Sequence, residues 1–532
     1  MDDAASARPA AALQNRSIRA IFGSLMLVML LASLDQTIVS TALPTIVGEF
    51  GGLEHLSWIV TAYLLATTIV TPLYGKLGDL FGRKIVLQSA ILLFLAGSAL
   101  CGLSRSMGQL IVFRALQGLG GGGLIVVAMA AIGDLFSPRE RGRYQGIFGA
   151  VFGLSTVLGP LIGGFFVEHL SWRWIFYVNL PLGLVSVAII GIAFTAPGER
   201  RRPAIDVAGA TLLAVMLTAI VLLTSLGGHA FAWNSASGLG LLGVTGAAFL
   251  GFAGVEWRSA EPILPLRLFG NRTFGIACAV GFIVGLALFG SVTYMPMYLQ
   301  VVKGVSPTLA GLTLTPMMGG VVATSIVSGR MISRFGRYRA FPIAGTAVMT
   351  VGLGLLATLG VGTSVWITCL YMLVLGLGLG LVMQVLVLAA QNAVDYRDLG
   401  VATSGTTLFR SIGGSIGVSL FGAIFAATLA VNLAGELPAG TNLAATSPAA
   451  VRALPEAVKT VYLQMFTSAL HPVFRYAAMV AALSFALSWL LKEVPLREAR
   501  AASALPAAAE PPSATNNGKN SLLPCKTHRN LQ

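Results

Sequence analysis

The stretch Leu34-Asp35-Gln36-Thr37-Ile38-Val39-Ser40-Thr41-Ala42-Leu43-Pro44 places a carboxylate inside the first long apolar segment of this chain. An ionised Asp in a hydrocarbon core costs about 3 kcal/mol on insertion scales, so it persists only facing a polar cavity, meeting a partner or carrying a proton. A group that holds and loses a proton at that depth is what proton-coupled transport requires. Arg114 is its partner by depth. Asp35 precedes the outer end of an outward-running segment by about eight residues and Arg114 follows the outer start of an inward-running one by about seven, so both lie about 10–12 Å below the surface at 1.5 Å per residue. The alternative is a static pair that only holds the fold. Arg410, about nine residues into a later segment, is the one clear basic group at mid-depth in the second part of the chain. It has three candidate partners: a substrate, a backbone carbonyl or a carboxylate.

Other chemistries find no support. No GxxxxGK[ST] occurs, and Gly118-Leu119-Gly120-Gly121-Gly122-Gly123 and Gly376-Leu377-Gly378-Leu379-Gly380 lie in apolar helices rather than strand-to-helix turns. Neither HExxH nor a Ser/His/Asp cluster argues for an enzyme. Cys101, Cys278, Cys369 and Cys525 lack disulfide or metal-ligand spacing, so no metal and no cofactor is expected. His55, His169, His229 and His471 fall at outer segment ends and read as unpaired interfacial rings.

The elements that position these residues are membrane helices. With 56% hydrophobic and 10% charged residues and a mean hydropathy of +0.83, the chain is solvated by lipid. Fourteen apolar segments are long enough to cross a core of about 30 Å: 18–43, 57–76, 84–104, 107–135, 143–168, 172–194, 205–226, 236–256, 273–300, 307–329, 340–360, 364–390, 401–430 and 471–491. The first is too long for a secretory signal and lacks a cleavage site. A net charge of +14 could suggest nucleic acid, but most of the 34 Lys and Arg sit in alternate loops and in the tails. By the positive-inside rule that side is cytoplasmic, with both termini on it, and no nucleic acid is implied.

Two loops repeat. Gly75-Lys76-Leu77-Gly78-Asp79-Leu80-Phe81-Gly82-Arg83-Lys84 follows the second segment and Gly329-Arg330-Met331-Ile332-Ser333-Arg334-Phe335-Gly336-Arg337-Tyr338 the tenth, with Asp79 replaced by Ser333. Duplicated six-helix halves follow, 18–194 and 273–491, with two inserted helices in 195–272. Residues 1–17 and 492–532 read as disordered tails. A connector spans about 431–470, with a weakly helical piece from Pro455 to Leu470. Ser155, Gly159 and Gly163, with Pro160 between them, form a small-residue stripe that admits a close neighbour.

These residues resemble the major facilitator superfamily, and within it the fourteen-helix drug:proton antiporters of the EmrB/QacA type. The likeness spans about 18–491. Its marks include Leu34-Asp35-x-Thr37-Ile38-Val39, Gly75 to Lys84, Arg114-Ala115-Leu116-Gln117-Gly118, Ser155 to Gly164, Trp172 through Gly183, and Phe409-Arg410-Ser411-Ile412-Gly413-Gly414.

The resemblance implies an all-α integral membrane fold of two six-helix bundles plus two inserted helices. It makes Asp35 the proton-binding carboxylate and Arg114 its coupling arginine. Gly75, Asp79 and Arg83 become a cytoplasmic latch, and Gly159, Pro160, Gly163 and Gly164 hinge the fifth helix against the second half. Gln117 and Arg410 are the candidate cavity residues. The implied activity is proton-coupled efflux of a lipophilic, often cationic compound across the cytoplasmic (inner) membrane of a bacterium. Small-molecule substrate, protons and membrane lipid are the partners, with room for a periplasmic adaptor protein. Asp134, Glu168, Asp206 and Glu256 all sit at segment ends, which argues against multivalent cations. The rival readings are export of a specific metabolite, siderophore or lipid on the same fold, and a non-transporting membrane receptor.

Overall fold

The computed structural model describes residues 3–50, 56–194, 206–227, 231–259, 261–436, 451, 454–494 and 496, with side chains in the first helix from Ile18 onward. In chain order the helices are α1 (Asp3–Phe50), α2 (Leu56–Phe81), α3 (Arg83–Leu103), α4 (Met107–Leu135), α5 (Pro138–His169), α6 (Trp174–Tyr177), α7 (Asn179–Ala193), α8 (Val207–Leu226) and α9 (Ala236–Arg258). After a 3-10 turn at Leu266–Gly270 come α10 (Arg272–Val292), α11 (Met295–Val301), α12 (Pro307–Leu312), α13 (Thr315–Phe335), α14 (Ala340–Leu356), α15 (Val365–Asn392), α16 (Leu399–Glu436) and α17 (Glu456–Ser488). Among the described residues 13 spans are long and apolar enough to cross a membrane, and the apolar helix Ala340–Leu356 is the shorter fourteenth.

Local chemistry sets the boundaries. Ser106, Ser235 and Ser364 cap α4, α9 and α15, each accepting a backbone N–H three residues on. Pro181, Pro296 and Pro316 each stand four residues beyond the last residue of a helix, at Tyr177, Val292 and Leu312. A proline ring clashes with the carbonyl four residues earlier, so the expected segments 172–194, 273–300 and 307–329 are each divided in two. Pro160, by contrast, sits within the unbroken α5. The repeated Phe-Gly-Arg loops share a backbone requirement: Gly82 has φ 86° and Gly336 φ 69°, a region that disfavours side chains.

Three expectations change at the chain ends. α1 begins at Asp3, inside the segment 1–17 read as a tail. α17 starts at Glu456 rather than near 471, because Tyr462, Phe466 and Leu470 give the connector piece a buried apolar face. Glu493, in the region read as disordered, accepts the Tyr338 and Arg339 N–H groups at 2.9 and 3.2 Å. The rest of the expected C-terminal tail, apart from residue 496, lies outside the described residues.

Glycine runs decide which helices are central. In α4, Gly118 and Gly122 lie against the α2 backbone and Gly120 against Phe94 and Ala90 of α3, approaches that leave no room for a Cβ. α15 repeats this in the second part of the chain, with Gly376 and Gly380 against α13 and Gly378 against Gly345 and Met349 of α14. One buried core gathers residues from Leu213 to Leu491, including α8 and α9. Two others gather residues of α1–α7, joined by Val387 of α15. Large apolar side chains such as Ile192, Trp257 and Trp366 face outward, as lipid-facing surfaces require.

Candidate functional site

Asp35 is fully buried. Its Oδ2 accepts a hydrogen bond from Arg114 Nη1 at 2.8 Å, and its Oδ1 accepts from Gln117 Nε2 at 2.8 Å and Asn179 Nδ2 at 3.1 Å. Ser98 Oγ accepts from Gln117 and Asn179 and donates to the Phe176 carbonyl. Arg114 also donates to Gln117 Oε1 at 2.6 Å and the Ile59 carbonyl at 3.3 Å, and lies 4.1 Å from the centre of the Tyr63 ring. Four helices, α1, α3, α4 and α7, thus meet at one carboxylate. Removing either Asp35 or Arg114 alone leaves an uncompensated charge, at a cost of about 3–5 kcal/mol.

Sequence reasoning placed Asp35 beside Arg114 but missed Asn179 and Ser98 as partners. Asn179 carried a signal, an amide alone in the apolar run before Pro181; Ser98 carried none. Gln117, expected in a cavity, is buried in this cluster instead, because Gly97 draws α3 onto its backbone.

A second cluster joins the two parts of the molecule at the face bearing the basic loops. Asp79, at the end of α2, accepts the Gly400 and Val401 N–H groups at 2.9 and 3.0 Å and so caps the first turn of α16. Helix N-termini favour such an anion. Arg83 donates to Asp79 and, at 2.9 Å, to Asp134. Gly75 allows the close approach, since a Cβ there would collide with Gly400 and Ser404. The repeat makes a neutral counterpart. Ser333 accepts the Arg143 N–H at 3.1 Å and donates to the Arg139 carbonyl at 2.8 Å, within the first turns of α5. Arg139 donates to the Ser333 and Arg334 carbonyls, and Gln145 to Gln391. Lys76–Glu261 and Arg267–Asp398 ion pairs add the loop after α9 to this closed face.

The antiporter-motif glycines sit differently from expectation. Gly159 and Gly163 pack against Thr37, Ile38 and Thr41 of α1, in their own half. Gly142, Gly146, Gly149 and Gly153, lower on α5, face α13 of the second half. The two sets lie on different faces of α5, six residues separating Gly153 from Gly159, so the helix offers one small-residue face to each partner. Gly164 faces open space.

Beyond the closed face lies a cavity of about 450 Å³ between α2, the end of α8, α10 and α16. Thr61, Thr68, Thr224, Ser411, Ser415 and Ser419 supply hydroxyls, Leu64, Phe289 and Val418 apolar surface, and no charged side chain lines it. Arg410 does not line this cavity. It borders a void of about 10 Å³ with Thr406, between α10, α15 and α16. His169 and His471, expected to be unpaired, bond the Phe165 and Leu359 carbonyls, while His55 and His229 lie outside the described residues.

Two helical assemblies locked along one face, with a neutral cavity between α2, α8, α10 and α16, define a multi-pass membrane transporter of small molecules. The sequence model of the Major Facilitator Superfamily matches residues 25–418, and the chain belongs to that family. An uncharacterised MFS-type transporter of Mycobacterium tuberculosis (Rv1877) is 43% identical over 90% of this chain and 70% of its own. The multidrug transporter protein MdtP of Bacillus subtilis is 42% identical over 74% of this chain and 72% of its own. In fold, the human organic anion transporter MFSD10 superposes with a TM-score of 0.62 at 16% identity, covering 88% of this chain and 99% of that one.

Proposed function

We propose that this chain is a proton-coupled exporter of lipophilic compounds in a bacterial cytoplasmic membrane, with the basic face and both termini cytoplasmic. The bundles 18–194 and 273–491 rock about the shared interface, and the conformation described here is the one closed to the cytoplasm. The observation that carries this reading is the buried carboxylate of Asp35, held by Arg114, Gln117 and Asn179.

Protonation of Asp35 from the external side removes the charge that orders Arg114, Gln117 and Asn179. It therefore loosens α1 against α4 and α7. Because Gly159 and Gly163 bind α5 to α1, and lower glycines bind α5 to α13, a shift of α1 reaches the contact between the halves. The Asp79 cap on α16 then releases, the cytoplasmic side opens, and the proton leaves to the cytoplasm as substrate is taken up. Relatives named as multidrug transporters support the export direction and the breadth of substrate. The test is proton movement on substrate addition in proteoliposomes. Unchanged coupling in a folded Asp35→Asn protein would remove Asp35 from the proton path.

A further inference from the structure

The second half is bare of acid within the membrane. No Asp or Glu occurs between residues 273 and 394, and in α16 and α17 the only acids are Glu436 and Glu456 at helix ends. Arg410 nevertheless stands eleven residues after the start of α16, about 16 Å along it at 1.5 Å per residue, near mid-membrane. Among the described residues its guanidinium has neither an ion pair nor a hydrogen-bond acceptor, and the side chain is partly buried beside a small void. The nearest embedded carboxylate by depth, Asp35, already accepts three donors in the other half. An unpaired arginine at this depth costs about 3 kcal/mol or more, which ordinarily restricts such groups to cavities and ligand paths.

Its surroundings fit a path. Arg410 and Gly414 are one turn apart on the same face of α16, and Gly414 lines the hydroxyl-studded cavity above. Helical side chains lean toward the helix N-terminus, which carries the guanidinium down beside Thr406 and away from that cavity. There it meets Gly281 and Val284 of α10 and Met383 and Val387 of α15. Val387 also packs into the core of the first half, so this void lies where the halves meet.

We infer that Arg410 is an anion-recognition residue of the transport path, and that the preferred substrate is an amphipathic organic anion. Its carboxylate, sulfonate or phosphate meets Arg410, and its apolar body fills the neutral cavity one turn above. This deepens the export reading and rests on it for the word substrate. A lipophilic cation finds no carboxylate in the cavity to receive it. Free solute and anionic lipid offer the same chemistry.

The test uses two probes that differ by one group: 8-anilinonaphthalene-1-sulfonate and its uncharged parent, N-phenyl-1-naphthylamine. Calorimetric titration of the full chain in nonionic detergent, with a detergent blank, needs no gradient, so it succeeds or fails independently of export. The sulfonate should bind the parent protein, Arg410→Gln should lose at least about tenfold of that affinity, and Arg410→Lys should retain most of it. The uncharged probe should bind all three proteins alike, which also reports that they are folded. Displacement of the sulfonate by a soluble aryl carboxylate points to solute, and by phosphatidylglycerol to lipid; displacement by neither overturns the proposal. So would equal loss of both probes in Arg410→Gln, unchanged sulfonate binding in that variant, or tighter binding of tetraphenylphosphonium than of the sulfonate. Proton-coupled transport in proteoliposomes tests the export reading separately.

Discussion

The two parts of the molecule share a backbone plan and divide the chemistry unequally. Gly118-Leu119-Gly120 of α4 corresponds to Gly376-Leu377-Gly378 of α15, and Gly97 meets the backbone of Gln117 as Gly352 meets that of Leu375. In this register Arg114 and Gln117 correspond to Met372 and Leu375, both fully buried. One half keeps an ion cluster where the other keeps an apolar core. At the closed face, Asp79 caps the α16 N-terminus with a charge, whereas Ser333 bridges Arg139 and Arg143 in the early turns of α5 with a hydroxyl. The two parts thus share geometry, and substitution leaves the buried ion cluster in only one of them.

The comparison breaks most completely at Asp35. Asp35→Asn keeps the size of the side chain and one of its two acceptor oxygens but cannot load or release a proton, so coupled proton movement in proteoliposomes should fall to background while expression holds. Met372→Arg should build no second coupling site, since its surroundings supply no acid; its expected outcome is a loss of stability of several kcal/mol by thermal unfolding.

A smaller effect is expected where α5 meets α1. Gly159→Leu should abolish efflux in a protein that still inserts, with overpacking of about 1–3 kcal/mol, and Gly159→Ala should impair it. Gly164→Ala should be neutral, as nothing stands within reach of its Cβ. Normal efflux by well-expressed Gly159→Leu would mean that the stripe does not carry the motion.

The two loop contacts give a graded pair. Asp79→Asn should shift the balance between inward- and outward-open states by about 1 kcal/mol, because the charge has its helix partner only in the closed state. Ser333→Ala should shift it less. Accessibility of probe cysteines at Thr61 and Ser415 reads both, and equal shifts would end the distinction between a charged and a neutral latch.

The smallest effect lies at the opposite face. Arg173 Nη2 donates to Glu49 Oε1 at 2.8 Å and the Trp172 indole N–H donates to Glu49 Oε2 at 2.6 Å, and these bonds hold the Glu49 carboxyl below its ordinary value of 4.5. Glu49 is 42% exposed, so its contribution is slight. It is present at neutral pH and lost as pH falls below 4.5 through the lowered value. Glu49→Gln should therefore lower the unfolding temperature slightly at pH 7 and leave it unchanged near pH 3.

Much of this was legible in the residues. Apolar length gave the crossings, depth paired Asp35 with Arg114, and the loop repeat located both contacts of the closed face. What stayed hidden depends on which way a helix faces. Gln117 is polar in an apolar helix whether it lines a cavity or a buried cluster; only the approach of Gly97 decides. Gly159 and Gly142 lie on two small-residue faces of one helix, and only packing shows that the first meets α1 and the second α13. The cavity residues Thr61 and Ser415 carry no motif at all, and Ser411 lies in one without its role being legible, since isolated hydroxyls are common in membrane helices.

The separation of Asp35 from its partners along the chain bears on how the protein is made. Arg114 follows it by 79 residues and Asn179 by 144. At about 5–20 residues per second, α1 leaves the ribosome on the order of 4–16 s before the arginine that neutralises its carboxylate. During that interval the first helix must wait at the insertion machinery, or enter lipid with its acid protonated. Biogenesis of α1 should thus depend on the arrival of α4, and a chain truncated before Arg114 should integrate its first helix poorly unless Asp35 is replaced by Leu.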